Sequence, residues 1–120
     1  MIKYHRTLNS LVIAELTSDN FIITKVQDAL DLISDLGIND CNRIIIKESN
    51  LHDDFFHLKT KLAGDILQKF SNYGVKLAII GDFSRYRSTA LQDFIRESNK
   101  GNLIFFVDNL DSALSRLSVR

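Results

Sequence analysis

The sequence predicts an α/β domain built on one mixed, mostly parallel, five-stranded sheet with about four helices. Short runs of β-branched and aromatic residues recur along the chain, and each of the last three is followed by a segment with helical periodicity. The first two runs are separated only by a turn. Alternating strands and helices require crossover connections, which give parallel pairing. The predicted order is β-β-α-β-α-β-α-β-α, in a single domain over residues 1–120.

The chain is predicted to begin with a hairpin and a helix. Ile2 to Thr7 and Leu11 to Leu16 are typical of short strands, and Leu8-Asn9-Ser10 between them has turn chemistry. Thr24 to Gln27 fits a capping box at the start of a helix that runs to about Leu36. Gly37 is expected to end that helix, because glycine tolerates the left-handed conformation.

Three further strands are predicted to be buried on both faces, since they are continuous apolar runs typical of parallel sheets. They are Arg43 to Lys47, Val75 to Ile80 and Leu103 to Val107. The longest helix is expected to begin at Asp53 or Asp54, to carry Phe55, Leu58, Leu62, Ile66 and Phe70 at helical spacing, and to end at Gly74. Ser88 or Thr89 caps the next helix, and residues 108–111 open the last.

Composition excludes several classes of function. Fifteen basic and fifteen acidic side chains give a net charge of zero, so no broad electrostatic surface for nucleic acid is expected. No apolar run approaches the roughly 20 residues that a membrane span needs. The single cysteine excludes an internal disulfide, and the first residues lack the apolar stretch of a secretion signal. A cytoplasmic protein is therefore expected.

Ligands of open parallel sheets favour the crevice beyond the carboxyl ends of the strands. The loops predicted at that edge carry the acidic residues Glu48, Asp53, Asp54, Asp82 and Asp108. The favoured interpretation is that Asp54, Asp82 and Asp108 each cap a helix or a turn, where their oxygens accept free backbone N–H groups. The alternative is a divalent metal site formed by Glu48, Asp82 and Asp108, because carboxylate oxygens suit Mg²⁺ or Ca²⁺.

Other candidate binding residues are expected close to the same edge. Lys59 and Thr60 are predicted one to two turns into the long helix, where they could meet an anion, although a solvated lysine and a locally bonded threonine are favoured. Phe55 and Phe56 are adjacent and would point about 100° apart on a helix. Phe56 is therefore expected on a partner surface or in an apolar pocket. Arg85, Tyr86 and Arg87 form a further exposed candidate group.

No motif of a known catalytic chemistry is present. The chain lacks a glycine-rich phosphate loop, a Gly-x-Ser-x-Gly nucleophile elbow and a zinc-ligand spacing, so neither a cofactor nor a catalytic residue is predicted. The predicted function is a regulatory or binding module that docks a protein or a small ligand without catalysis. A small metal-assisted hydrolase or phosphotransferase is the alternative. A homodimer is expected only if Phe56 or an edge strand is exposed.

The predicted order resembles the sulfate-transporter and anti-sigma-factor-antagonist (STAS) domain. The similarity lies in the opening hairpin, the long helix after Ile44-Ile45-Ile46 and the closing unit Leu103 to Leu117. STAS antagonists carry Asp-Ser-Ser-Gly, with a phosphorylated serine, where this chain has Asp53-Asp54-Phe55-Phe56. The resemblance therefore implies a binding role without the phosphorylation switch.

The chain is also similar to a bacterial family described as domain of unknown function 4180. Three segments carry that similarity: Asp54 to Tyr73, Leu77 to Ser84 and Phe94 to Gly101. The family has glycine at the position of Lys61. This resemblance covers nearly the whole chain and implies no activity.

Overall fold

Five short strands form one sheet in the computed structural model, which describes residues 1–119. They are β1 (Ile2–Arg6), β2 (Val12–Leu16), β3 (Arg43–Lys47), β4 (Lys76–Ile80) and β5 (Ile104–Val107), and they lie side by side in chain order. β1 pairs with β2 in antiparallel fashion, and the other pairings are parallel. The predicted mixed sheet with an N-terminal hairpin is confirmed.

The helices are distributed unequally over the two faces of the sheet. They are α1 (Val26–Gly37), α2 (Leu62–Asn72), α3 (Thr89–Lys100) and α4 (Leu110–Leu117). Each crossover from β2 to β5 adds its strand in the same direction, so right-handed connections place α1, α2 and α3 on one face. The main core lies between that face and these helices, and α4 covers a smaller core on the other face.

Strand β3 shows why its apolar run is continuous. Ile44 and Ile46 belong to the main core under the three helices, whereas Ile45 belongs to the smaller core under α4. All three side chains are almost completely buried. A strand between two covered faces has no position that favours a polar side chain.

The bounds of α1 agree with the prediction to within about one residue, but its capping interactions differ. The cap is made by Asp28 rather than by Thr24 with Gln27: its carboxylate accepts the Thr24 backbone N–H at 2.9 Å and the Thr24 hydroxyl at 2.8 Å. These hydrogen bonds lower the pKa of Asp28. Gly37 is the last helical residue, and the left-handed conformation is taken three residues later by Asp40, with φ of 56°.

The predicted start of the long helix is also wrong. Helix α2 begins at Leu62, and the preceding segment forms two short 3-10 helices, Asp53–Phe56 and Leu58–Thr60. Lys61 separates them from α2 because its φ of 66° is left-handed and cannot continue a helix. Helical spacing of apolar residues persists across this break, which explains why the sequence suggests one continuous helix.

Replacing Lys61 with Gly is expected to raise the free energy of unfolding by about 1 kcal/mol, because the left-handed conformation is unfavourable for residues with a Cβ. Urea denaturation followed by circular dichroism would measure the change. Lys59→Gly is the matched control, since Lys59 lies two residues earlier in a right-handed 3-10 turn and gains nothing from glycine. A lower stability for Lys61→Gly than for the unmodified chain would contradict the assigned strain.

Within residues 1–119, no helix is both long and apolar enough to cross a membrane.

Candidate binding site

The carboxyl ends of the parallel strands β3, β4 and β5 meet at one edge of the sheet. Lys47 pairs with Ile80 at the end of β3 and β4, and Ile80 pairs with Val107 at the end of β4 and β5. The loops that follow, which begin at Glu48, Gly81 and Asp108, therefore lie beside one another, as the sequence predicts.

Glu48 is the centre of the polar contacts at this edge. Its side chain is only 14% exposed, and one carboxylate oxygen, Oε1, accepts the backbone N–H of Asp82 at 3.2 Å. The other oxygen, Oε2, accepts short hydrogen bonds from Arg85 Nη2 and from the Tyr86 hydroxyl. Both oxygens of this carboxylate thus fasten the loop after β4 to the end of β3.

Gly81 makes room for this arrangement. A Cβ atom added at Gly81 would lie 2.5 Å from Oε1 of Glu48 and 2.6 Å from its Cβ. Such distances are far inside normal van der Waals contact, so any larger residue would displace Glu48 or the loop. The glycine is needed here for close approach of a side chain.

An aromatic group lies directly beneath the polar contacts. The Tyr86 ring stacks on Phe56 with centroids 4.9 Å apart and an interplanar angle of 15°. Phe83 lies 6.1 Å from Phe56 and packs edge-on against Phe106 in the core at 5.2 Å. Arg85 places its guanidinium carbon 4.6 Å from the centre of the Tyr86 ring. The rings of Phe56, Phe83 and Tyr86 therefore form an aromatic floor beneath the site, and this floor is continuous with the core.

Of the two positions expected for Phe56, a partner surface is wrong, because its side chain is buried; Phe56 instead lines the cavity described below. Phe55 and Phe56 are both buried, with Phe55 in the core and Phe56 beneath Tyr86. Their rings meet edge-on at 5.0 Å. The prediction placed the two rings about 100° apart on a helix, whereas they lie on a short 3-10 helix and the loop after β4 folds over Phe56.

Two residues that support the site had no recognised signal in the sequence. Gln92 of α3 donates from Nε2 to the carbonyl oxygens of Phe83 at 2.7 Å and Tyr86 at 2.9 Å, which fixes the loop between them. Asn50 is completely buried after β3 and is the acceptor for the Lys47 backbone N–H at 2.7 Å. Each is a single polar residue that bonds to backbone groups of loops. Its role is therefore visible only when those loops are in place.

The protonation states of the site suit binding better than proton transfer. Burial, followed by the hydrogen bond to Glu48 and its negative charge, raises the pKa of Tyr86 above its ordinary value of 10.0. The hydrogen bond and charge of Glu48 also raise the pKa of Arg85. Tyr86 is therefore a neutral hydrogen-bond donor at physiological pH, and Arg85 is a fixed cation.

Replacing Tyr86 with Phe is expected to lower the free energy of unfolding by about 1 kcal/mol at neutral pH, because the hydroxyl bond to Glu48 is lost. The folded chain retains the phenolic proton where the unfolded chain releases it, so this contribution is complete below pH 10 and declines as the pH rises above it. Urea denaturation at several alkaline pH values would show the difference between the two proteins shrinking. A difference that grows with pH would contradict this assignment.

A small cavity opens beside the aromatic floor. Its volume is about 320 Å³, and its lining includes Phe56, Arg85 and Tyr86 together with the exposed residues Phe21 and Asp53. The side chain of Arg85 is 61% exposed at its rim. Phe21 was not predicted at this site, because its loop precedes α1 and is brought here only by its pairing with the segment after β3.

The family model for a domain of unknown function, DUF4180, matches residues 8–117. The chain belongs to the DUF4180 family. Searches of curated proteins and of solved structures found no significant match. The predicted membership is confirmed, and the match extends from the hairpin turn to the end of α4.

Several other predicted site residues of this DUF4180 domain have local structural contacts. Asp54 does not cap its turn: His52 Nδ1 accepts the Asp54 backbone N–H at 3.0 Å. The Thr60 hydroxyl donates to the carbonyl oxygens of Asp54 at 2.7 Å and His57 at 2.8 Å. Lys59 and Arg87 are exposed. Lys59 and Thr60 precede α2 rather than lying within it.

The carboxylates predicted as an alternative metal site have separate roles in this DUF4180 domain. Glu48 is bound by Arg85 and Tyr86, and Asp82 caps its own turn by accepting from the backbone N–H of Ser84 at 3.2 Å. That capping role of Asp82 is as predicted. Within residues 1–119, no group of three or more His, Cys, Asp or Glu side chains is placed to hold a metal ion.

A second, larger concavity of about 770 Å³ lies between the ends of β4 and β5 and helix α4. Asp82, Asp108 and Asp111 line it with Arg116, whose guanidinium covers the Phe105 ring at 4.3 Å. Asn109, and not Asp108 as predicted, caps α4 by accepting the Ser112 backbone N–H at 2.8 Å. Its three carboxylates are exposed to solvent, and nothing beyond them indicates a ligand.

Proposed function

We propose that this DUF4180 domain is a non-catalytic regulatory or binding module of the bacterial cytoplasm. Its binding site is the cavity above Phe56, and its ligand is a small molecule or a segment of a protein. One observation carries the proposal: Glu48 uses both carboxylate oxygens to hold Arg85 and Tyr86 over Phe56. This arrangement fixes a cation beside an aromatic surface and engages both oxygens of Glu48.

The exposed part of Arg85 defines the charge of the ligand. The hydrogen bonds that Arg85 makes within residues 1–119 use Nη2 alone, so Nε–H and Nη1–H remain as donors. A guanidinium fork of this kind matches a carboxylate in geometry. Asp53 at the same cavity disfavours a doubly charged group such as a phosphate monoester. A single carboxylate is therefore the favoured anion.

The apolar part of the ligand follows from the size and lining of the cavity. Its volume of about 320 Å³ is at the lower end of the range for small-molecule sites. The rings of Phe56, Tyr86 and Phe21 line it. A ligand with one aromatic ring and one carboxylate, or a peptide segment that presents both groups, satisfies these surfaces.

The alternative function, metal-assisted hydrolysis or phosphoryl transfer, has less support. It requires Glu48, Asp82 and Asp108 to converge on one ion, whereas Glu48 is held by Arg85 and Tyr86. A metal bound at Glu48 would first have to displace a guanidinium from that carboxylate.

Titration of the ¹⁵N-labelled chain with 3-phenylpropanoate would test the proposed site. We expect the largest amide shifts at Phe21, in residues 48–56 and in residues 85–86, since these segments contain the residues that line the cavity. The neutral control is 3-phenylpropanamide, which has the same ring without the charge and should cause smaller shifts. Equal shifts for both compounds, or shifts scattered over lysine residues distant from this edge, would contradict the proposal.

A further inference from the structure

The two edges of the sheet differ in whether their backbone groups are satisfied. At the β5 edge, the side-chain amide of Asn99 bonds twice to Phe106: its oxygen accepts the backbone N–H at 2.7 Å, and its nitrogen donates to the carbonyl at 3.1 Å. An added strand would have to displace this side chain. The side chain of Asn99 therefore blocks the β5 edge at Phe106.

At the other side of the sheet, the β1 edge is open as far as residues 1–119 are concerned. Hydrogen bonds from Thr7 N to Leu11 O at 2.9 Å and from Thr17 N to Met1 O at 3.1 Å mark the bonded pairs at the two ends of the hairpin. Bonded and non-bonded pairs alternate in an antiparallel ladder, so Lys3 and His5 direct their backbone groups toward β2. The N–H and C=O groups of Ile2, Tyr4 and Arg6 consequently point away from the sheet.

The side chains along this edge have a definite chemical pattern. Ile2 and Tyr4 lie on one face and are 45% and 48% exposed, which is unusual for apolar residues in a strand. Arg6 continues the face of Ile2 and Tyr4, whereas Lys3 and His5 lie on the other face. The one acid opposite them on β2 is Glu15, whose carboxylate is bonded to His5 Nε2 at 2.8 Å. The edge therefore presents the apolar side chains of Ile2 and Tyr4, followed by Arg6, on one face, and the basic residues Lys3 and His5 on the other.

We propose that β1 receives an extended segment of a partner protein as a sixth strand of the sheet, and that this segment alternates apolar and acidic residues. Residues opposite Ile2 and Tyr4 would be apolar, and those opposite Lys3 and His5 would be acidic, because directly opposed side chains share a face. Strand addition at an open edge is a recurrent mode of peptide recognition.

A second copy of this chain is a poorer occupant of the edge. In an antiparallel pair of β1 strands centred on Tyr4, Lys3 of each copy would lie opposite His5 of the other. Arg6 would lie opposite Ile2, and no acidic residue of either β1 strand would compensate the charges of Lys3 and Arg6. Basic residues on edge strands discourage such self-pairing. The same residues favour an acidic partner.

Amide hydrogen exchange in the presence of a synthetic peptide tests the proposal. The peptide is N-acetylated, amidated Val-Glu-Val-Glu-Val-Glu-Val, and the control replaces each Glu with Lys. We expect the acidic peptide to slow exchange at Ile2, Tyr4 and Arg6, with little change at Lys3 and His5, which already bond to β2. The basic peptide should give no protection.

Three variants of the chain make the test specific. Lys3→Glu should weaken binding of the acidic peptide about tenfold, because one attractive cross-strand pair becomes repulsive, and should improve binding of the basic peptide. Tyr4→Pro removes an N–H that points outward and makes no bond to β2. Edge strands tolerate proline at such positions, so the variant should fold but should not bind the peptide. Tyr4→Val retains that N–H and should bind, which separates loss of the backbone donor from loss of the ring.

Three results would overturn the proposal: no protection by the acidic peptide, equal protection by both peptides, or protection spread along other elements. Sedimentation velocity of the chain alone would show whether it forms a dimer. A dimer that Tyr4→Pro dissociates would assign the edge to a second copy of the chain.

Discussion

Replacing Gly81 with Ala is expected to lower the free energy of unfolding by about 2 kcal/mol, the range found for overpacked sites. The new methyl group would collide with the Glu48 side chain, whose Oε1 lies 2.5 Å from the position of the added Cβ. Glu48 cannot move without loosening its bonds to Arg85 and Tyr86. The substitution therefore acts on the site as well as on stability.

Gly64→Ala is the matched control for this substitution. Gly64 lies inside α2, and an added Cβ there would meet nothing within 4 Å. Alanine is the better helix former, so this variant should gain up to about 1 kcal/mol. Urea denaturation of the two variants should thus give changes of opposite sign. Equal stabilisation by both would contradict the packing of Glu48 against Gly81.

Replacing Asn50 with Ala is expected to lower the free energy of unfolding by about 3 kcal/mol, because three partly buried backbone groups lose their hydrogen bonds to its buried amide at once. Asn50 Oδ1 accepts from the Lys47 backbone, and Nδ2 donates to the carbonyl oxygens of Ser18 and Asn20, each at 2.8 Å. The variant leaves one backbone donor and two backbone acceptors without these bonds.

The control for Asn50 is Asn72→Ala at the exposed end of α2. Asn72 accepts one hydrogen bond from Gln68 at the surface, so its loss should change stability by less than about 0.5 kcal/mol. Thermal or urea denaturation would compare both variants with the unmodified chain. Losses of similar size for the two would show that the buried network of Asn50 contributes little.

The fold could be predicted because its signals are local and repeated. The apolar runs of β3, β4 and β5 identify buried strands, and the helical segments between them enforce parallel order. The start of α2 could not be predicted in the same way. Apolar spacing across residues 55–70 is helical throughout, and only the backbone conformation of Lys61 interrupts it.

The candidate site was predicted in part. The position of Arg85 and Tyr86 beside the end of β3 follows from the rule for the carboxyl ends of parallel strands. The burial of Phe56 beneath Tyr86 does not follow, since it depends on how the loop after β4 closes. Gln92 and Asn50 were missed for a related reason: a single amide side chain gives no pattern until its backbone partners are in place.

The affinity of 3-phenylpropanoate for two arginine variants tests the central claim, that Arg85 held over Phe56 forms the binding site. Arg96 is a suitable control, because it is an exposed arginine of α3 that pairs with Asp93 away from this edge. We expect Arg85→Gln to weaken binding about tenfold, as the loss of a charged hydrogen bond predicts, and Arg96→Gln to leave binding unchanged. Equal affinities for both variants would contradict the assignment of the site.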